Sequence, residues 1–337
     1  MHTNKKLIAA LAAAALMTAC GGGGSDSANQ PGQPLPAPAP APVPAPGVPT
    51  GVPVMLPAGS PAADLLNTIN AQITRCGYAP MQPVQDLQRA AQAHADYSRS
   101  NGYEIGHTEL PSRPGFTGAD HRDRIRAAGG TQERAFASSE GVGGYGGRDV
   151  LSSGLLSAPY HLADLLSGWT EIGVGTAADP QTGLLLPGMR QGVAVLVYGG
   201  PQRDGLREGE VRNFPCDGTT HVGGQGGPET PDPAPDLGDR FGNSLIFDTA
   251  KTGAIDVRTI ELRDVSSGQV VPLRRLANNN VDPAQVPWRA VYFPAEILPD
   301  GKRFVVTATG TTWDNASRSG QGSSWSRSYT FTTFQTY

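Results

Sequence analysis

Apolar residues fall at helical spacing in the first half of the chain and at alternating spacing in the second. In "PAADLLNTINAQITRCG" (61–77), Leu65, Leu66, Ile69 and Ile73 share one helix face. "PVQDLQRAAQAHADYSRSNGY" follows with Val84, Leu87, Ala90, Ala91, His94 and Tyr97 on one face. "TGADHRDRIRAAGG" reads as a short capped helix ended by glycines, and "GGRDVLSSGLLSAPYHLADLL" as a helical stretch broken at Pro159. Two strands come next, "EIGVGTAAD" and "LLLPGMRQGVAVLVYGG". Helices first and strands last predict an α+β domain over 61–217. Residues 218–236 are rich in Gly and Pro without apolar period and read as a linker. From 237 to 337 the segments "NSLIFD", "VRTIELRD", "QVVPLRRL", "RAVYFPAEIL", "RFVVTATGT" and "WSRSYTFTTF" predict a small β-sandwich.

The N-terminal residues change this picture of two globular regions. Lys5 and Lys6 precede the apolar run "LIAALAAAALMTAC", which has the form of an export signal over 1–19. Small residues before Cys20, followed by "GGGGS", resemble a bacterial lipobox, which implies lipidation of Cys20. The alternative is a plain secretory signal with an incidental cysteine. Gly21 after the anchor points to an outer membrane or the cell surface. The stretch 20–60 alternates Pro with small residues and predicts an extended polyproline spacer of up to roughly 100 Å. In an exported chain the remaining pair, Cys76 and Cys216, reads as a disulfide, the alternative being two buried thiols.

The formal net charge is −4. Loss of 1–19 removes two lysines and no acid, leaving a mildly acidic chain without the basic face that nucleic acid requires. There is no Gly-x-Ser-x-Gly elbow and no phosphate loop, and no thiol remains once the cysteines pair. The candidate chemistry lies in four histidines, His94, His107, His121 and His161, and in Glu140 before a glycine-rich turn. His94, on an apolar helix face, reads as a core residue over a fourth ligand. His121 reads as solvated at a helix start. His221, in the linker, carries no role.

Five segments in order, "LQRAAQAHADYSRSNGYEIGHTE", "FTGADHRDRIRAAG", "SSEGV", "SAPYHLADLL" and "EIGVG", resemble the bacterial branch of the CAP (SCP-like) superfamily over about 61–200. The resemblance implies an α-β-α sandwich with two His and one or two Glu around a cleft, in some members with a divalent metal. Residue by residue it implies His107, Glu140 and His161. Gly141 stands where the family has Asn, and no acid lies near Ala158, where a second Glu would fall. Two imidazoles and one carboxylate match the ligand count of a hydrated zinc site. The segments "ILPDGKRFVVTATG" and "SRSYTFTTF" resemble bacterial Ig-like modules. The functions implied are binding of an apolar, lipid or glycan ligand, a metal-dependent envelope hydrolase using His107, Glu140 and His161, or a His/Glu cluster that only pins loops.

Overall fold

The first helix starts where the chain supplies its own cap. The Ser60 hydroxyl accepts from the Ala63 amide at 3.2 Å, and Pro61 takes a position where no amide is needed. A computed structural model describes residues 50–144, 156–178, 192–203, 205–227, 229, 232–238, 240–276 and 286–334. The signal 1–19, the anchor Cys20 and the spacer up to residue 49 lie outside the described residues. So do 146–155 and 184–191, which the sequence placed in a helical stretch and a strand. The described residues belong to one compact unit, Pro44–Tyr337.

The chain is a mixture of helices and sheets, as an α+β reading requires. Helix α1 (Pro61–Arg75) buries Leu65, Leu66, Ile69 and Ile73, the predicted face. Strand β1 (Gln82–Pro83) leads into helix α2 (Gln85–Ser100). Asp120 caps helix α3 (His121–Ala127) and Thr131 caps helix α4 (Gln132–Phe136). Strand β2 (Ser138–Gly144), helix α5 (Pro159–Leu165), and strands β3 (Glu171–Ala178) and β4 (Gly192–Gly199) follow. The sheet order is β1-β3-β4-β2. The sequence read Glu140 as preceding a glycine-rich turn. It lies instead within β2, opposite Val197, because continuous antiparallel pairing with buried β4 offsets the poor strand propensity of the glycines.

Strand β4 is buried on both faces. Val193, Val195 and Val197 meet the α2 side with Leu87, Ala90 and Ala91. Ala194, Leu196 and Tyr198 meet the opposite side with α1 and α5 residues. The "IGVG" stretch of β3 is where α2 comes closest. A Cβ on Gly173 would lie 2.0 Å from the Leu87 carbonyl oxygen, and one on Gly175 would lie 2.1 Å from that of Ala91. Glycine is needed here for backbone contact rather than for flexibility. The Gln88 amide then bonds both the N–H and the C=O of Val174, at 2.9 and 2.8 Å, and Gln92 does the same with Thr176.

The second half supplies strands β5 (Arg212–Phe214), β6 (Thr219–Val222), β7 (Leu245–Asp248), β8 (Ala254–Asp264), β9 (Val270–Val271), β10 (Leu273–Arg275), β11 (Arg289–Pro294), β12 (Arg303–Trp313) and β13 (Ser323–Thr333). They form a four-stranded sheet, β10-β11-β7-β5, and a five-stranded sheet, β6-β13-β12-β8-β9. Phe247 and Tyr292 face the five-stranded sheet with Val306, Trp325 and Phe331. Ile246, Val291 and Phe293 face the other way and share a core with α1 and α5. The four-stranded sheet is thus buried on both sides, and the first helix layer packs between two sheets.

The Gly/Pro stretch read as a linker is packed in part, with Thr219, Val222 and Ala234 buried. Thr219–Val222 joins β13, and Gly224 and Gly226 admit the Leu298 carbonyl and the Phe241 ring, which a Cβ would meet at 2.4 and 2.0 Å. Cys76 and Cys216 are disulfide-bonded, tying the end of α1 to the chain after β5. Arg289, buried on β11, pairs with Asp248 through Nε at 2.6 Å and Nη2 at 2.8 Å. It also donates to the Leu166 carbonyl at 3.0 Å and to the Ala163 carbonyl at the end of α5. Tyr78 donates to the same Asp248 at 3.0 Å. Among the described residues, no helix is long and apolar enough to cross a membrane.

Gly173→Ala should destabilise the chain by about 1–3 kcal/mol, since the obstructing atoms are backbone. Gly106→Ala, whose Cβ would meet nothing within 4 Å, should stay within about 0.5 kcal/mol. Urea titrations of both variants measure the contrast.

Candidate functional site

Arg124 leaves the fourth position of α3 and is fully buried. A buried guanidinium must find acceptors for its donors. Nη2 lies 2.7 Å from both oxygens of Glu140 and 3.1 Å from the His107 carbonyl, and Nη1 lies 3.2 Å from the Gly118 carbonyl. Glu109 approaches within 3.8 Å of Nη1. Arg124 therefore joins α3, β2 and the loop carrying His107 at one point.

Glu140 points from β2 into this cluster. Its Oε2 accepts from His107 Nδ1 at 3.1 Å, which fixes His107 as the Nδ1–H ring. Burial alone would raise the Glu140 carboxyl. The His107 hydrogen bond and the Arg124 charge outweigh it and hold the group below the ordinary glutamate value. Glu109 is fully enclosed by the same logic. Burial is opposed by His94, by the Thr117 amide at 2.6 Å and by Arg124, and the carboxyl again ends low.

His161 sits on the third residue of α5. Its ring stacks on that of His107 with centroids 5.7 Å apart and 23° between planes. The His107 side chain is 51% exposed and that of His161 20%, so the pair faces solvent from one side while Glu140 closes the other. Helix α5 is tied to β2 through Asp164, whose buried carboxyl hydrogen-bonds Ser139 and accepts from Trp169 Nε1 at 3.3 Å. Burial raises the Asp164 carboxyl above its ordinary value. Glu229 accepts from the Tyr160 and His161 amides at 2.7 and 2.8 Å. Its Oε1 is also 2.8 Å from His161 Nδ1, an ion-pair distance without the alignment of a hydrogen bond.

The structure thus brings His107, Glu140 and His161 together. It keeps His94 apart, buried with Nδ1 2.9 Å from Glu109 and Nε2 2.7 Å from the Gly106 carbonyl. His121, read as solvated from its place at a helix start, is corrected. Its Nε2 is buried without a hydrogen-bond partner, and burial lowers its imidazole value despite the pull of Glu140 and Asp120. His221 lies exposed in the middle of β6 with its Nδ1 beside the Thr220 hydroxyl. Arg124, Glu109 and Glu229 were not singled out in the sequence. Only Glu109 carried a signal, its place two residues after His107.

The donor set does not fit a zinc ion as it stands. Both Glu140 oxygens are taken by Arg124, and His161 Nδ1 abuts Glu229. Among the described residues, no group of three or more His, Cys, Asp or Glu is arranged to hold a metal. No protein-family model matches the chain, and no curated protein matches it.

Arg124→Ala strands two buried carboxylates and should cost about 3–5 kcal/mol. Arg124→Ala with Glu140→Gln should cost less than the sum of the two, which a double-mutant cycle in denaturant will read.

Acid should weaken the fold in two stages. Glu140, Glu109 and His121 all titrate lower folded than unfolded, so the unfolded chain binds more protons as pH falls and stability drops. The His121 share is lost below about pH 6.5 and the carboxylate share below about pH 4.3. His121→Gln should flatten the first slope only, measured as melting temperature against pH.

Proposed function

We propose that the chain is an exported, lipid-anchored envelope protein. Its first region is a CAP-like α-β-α sandwich and its second an Ig-like β-sandwich. It acts by binding a ligand at the His107/Glu140/His161 cleft. The helix-sheet-helix layering of the first region and the paired sheets of the second support these fold names. The sequence supports the anchor at Cys20.

One observation carries the binding reading over the metal-dependent hydrolase. The Glu140 carboxylate is already neutralised by buried Arg124. A metal would have to displace a two-oxygen contact inside the protein, at the cost of an uncompensated buried cation. What stays accessible is a pair of imidazole edges, suited to hydrogen bonding and stacking. With no free carboxylate beside them, they suit the hydroxyl groups of a lipid or glycan ligand better than a metal ion.

Calorimetry on the full chain tests this. Titration with zinc chloride should give no one-to-one isotherm that His107→Ala removes. Titration with phosphatidylcholine vesicles or with N-acetylglucosamine oligosaccharides should give binding that His107→Ala weakens by about tenfold or more. A stoichiometric zinc isotherm abolished by His107→Ala would overturn the reading in favour of the hydrolase.

A further inference from the structure

Helix α5 carries His161 but cannot cap itself. Its N-cap is Ala158, which has no side-chain acceptor, and Pro159 has no amide. The first two free amides, of Tyr160 and His161, are taken by Glu229 from 68 residues further along the chain. The Glu229 side chain is only 2% exposed, and the oxygen that accepts the His161 amide is also 2.8 Å from the His161 ring. One buried carboxylate therefore bonds the His161 main chain and lies at ion-pair distance from its ring, without the alignment of a hydrogen bond. His107 also has a carboxylate at its Nδ1, Glu140, there in a hydrogen bond, and the two rings stack. Among the described residues, neither Nε2 has a hydrogen-bond partner. The acid missing from the neighbourhood of Ala158 in the sequence is thus present in space.

We propose that Glu229 is a positioning residue of the site. It holds His161 as an Nδ1–H ring parallel to His107, so that the pair presents two Nε2 lone pairs side by side. Such a pair accepts hydrogen bonds from donor groups of a ligand, hydroxyl groups above all. The inference takes the cleft of the proposed function as its frame, but its test needs no ligand, so either can fail alone.

The test is nitrogen-15 NMR of histidine-labelled full chain at about pH 8, above the ordinary imidazole range. His161 and His107 should both show the Nδ1–H tautomer. Glu229→Gln should lose that signal at His161 and keep it at His107, and Glu140→Gln should do the reverse. Adding Ala158→Ser to Glu229→Gln gives α5 its own cap. It should recover melting temperature without recovering the His161 tautomer. A tautomer unchanged in Glu229→Gln, or restored by Ala158→Ser, would reduce Glu229 to a helix cap and overturn the proposal. If Glu229→Gln does not fold, the wild type still decides, because an Nε2–H ring at His161 contradicts the assignment.

Discussion

Everything in the first helix layer depends on how Arg289 is satisfied. A guanidinium buried on β11 carries five donors and a charge, and leaving any donor unmet in the interior is costly. Asp248 on neighbouring β7 neutralises it. The remaining donors reach the Ala163 and Leu166 carbonyls, which α5 leaves open at its C-terminus. The helix end and the buried cation solve each other's problem. Because Tyr78 binds the same aspartate, the turn after α1 is fixed to the sheet as well.

The same principle recurs at two other points. Arg134 is held by Asp86 at 2.8 Å through Nη2 and by Glu171 at 2.7 Å through Nη1, linking α4, α2 and β3. Glu171 in turn accepts from the Gly51 amide at 2.9 Å, which fixes the entering chain. Arg124 does this work at the site. Three buried arginines thus set where elements meet, while the apolar clusters set how tightly they pack. The site inherits its rigidity from Arg124, and its His161 arm is fixed at the two ends of α5 by Glu229 and Arg289. Both of those residues lie in the second half of the chain.

Periodicity in the sequence located α1, α2, β12 and β13, because each buries one regular face, while α3 was marked by its cap and closing glycines. The resemblance of short motifs, not periodicity, pointed to His107, Glu140 and His161, which lie side by side in space. Strand β2 was hidden, since Ser and Gly carry no alternation and its pairing is dictated by β4. Strands β5 and β6 were hidden by shortness. Arg124 and Glu229 left no trace: a charged residue on a short helix, or in a Gly/Pro stretch, reads as solvated until its acceptors are seen. The glycines at 224 and 226 mislead in the same way, since close packing and flexibility ask for the same residue.

The two-sided burial of the four-stranded sheet has a consequence for how the chain is made. Synthesis runs from the N-terminus, so α1, α5 and the first sheet exist well before Val291 and Phe293 do. Until those residues arrive, the apolar face of the first helix layer has no floor, and the α5 carbonyls have no cation. The half-finished chain is therefore its most aggregation-exposed form. Its final core closes only when contacts spanning more than a hundred residues of sequence, such as Ala163 with Arg289, can form.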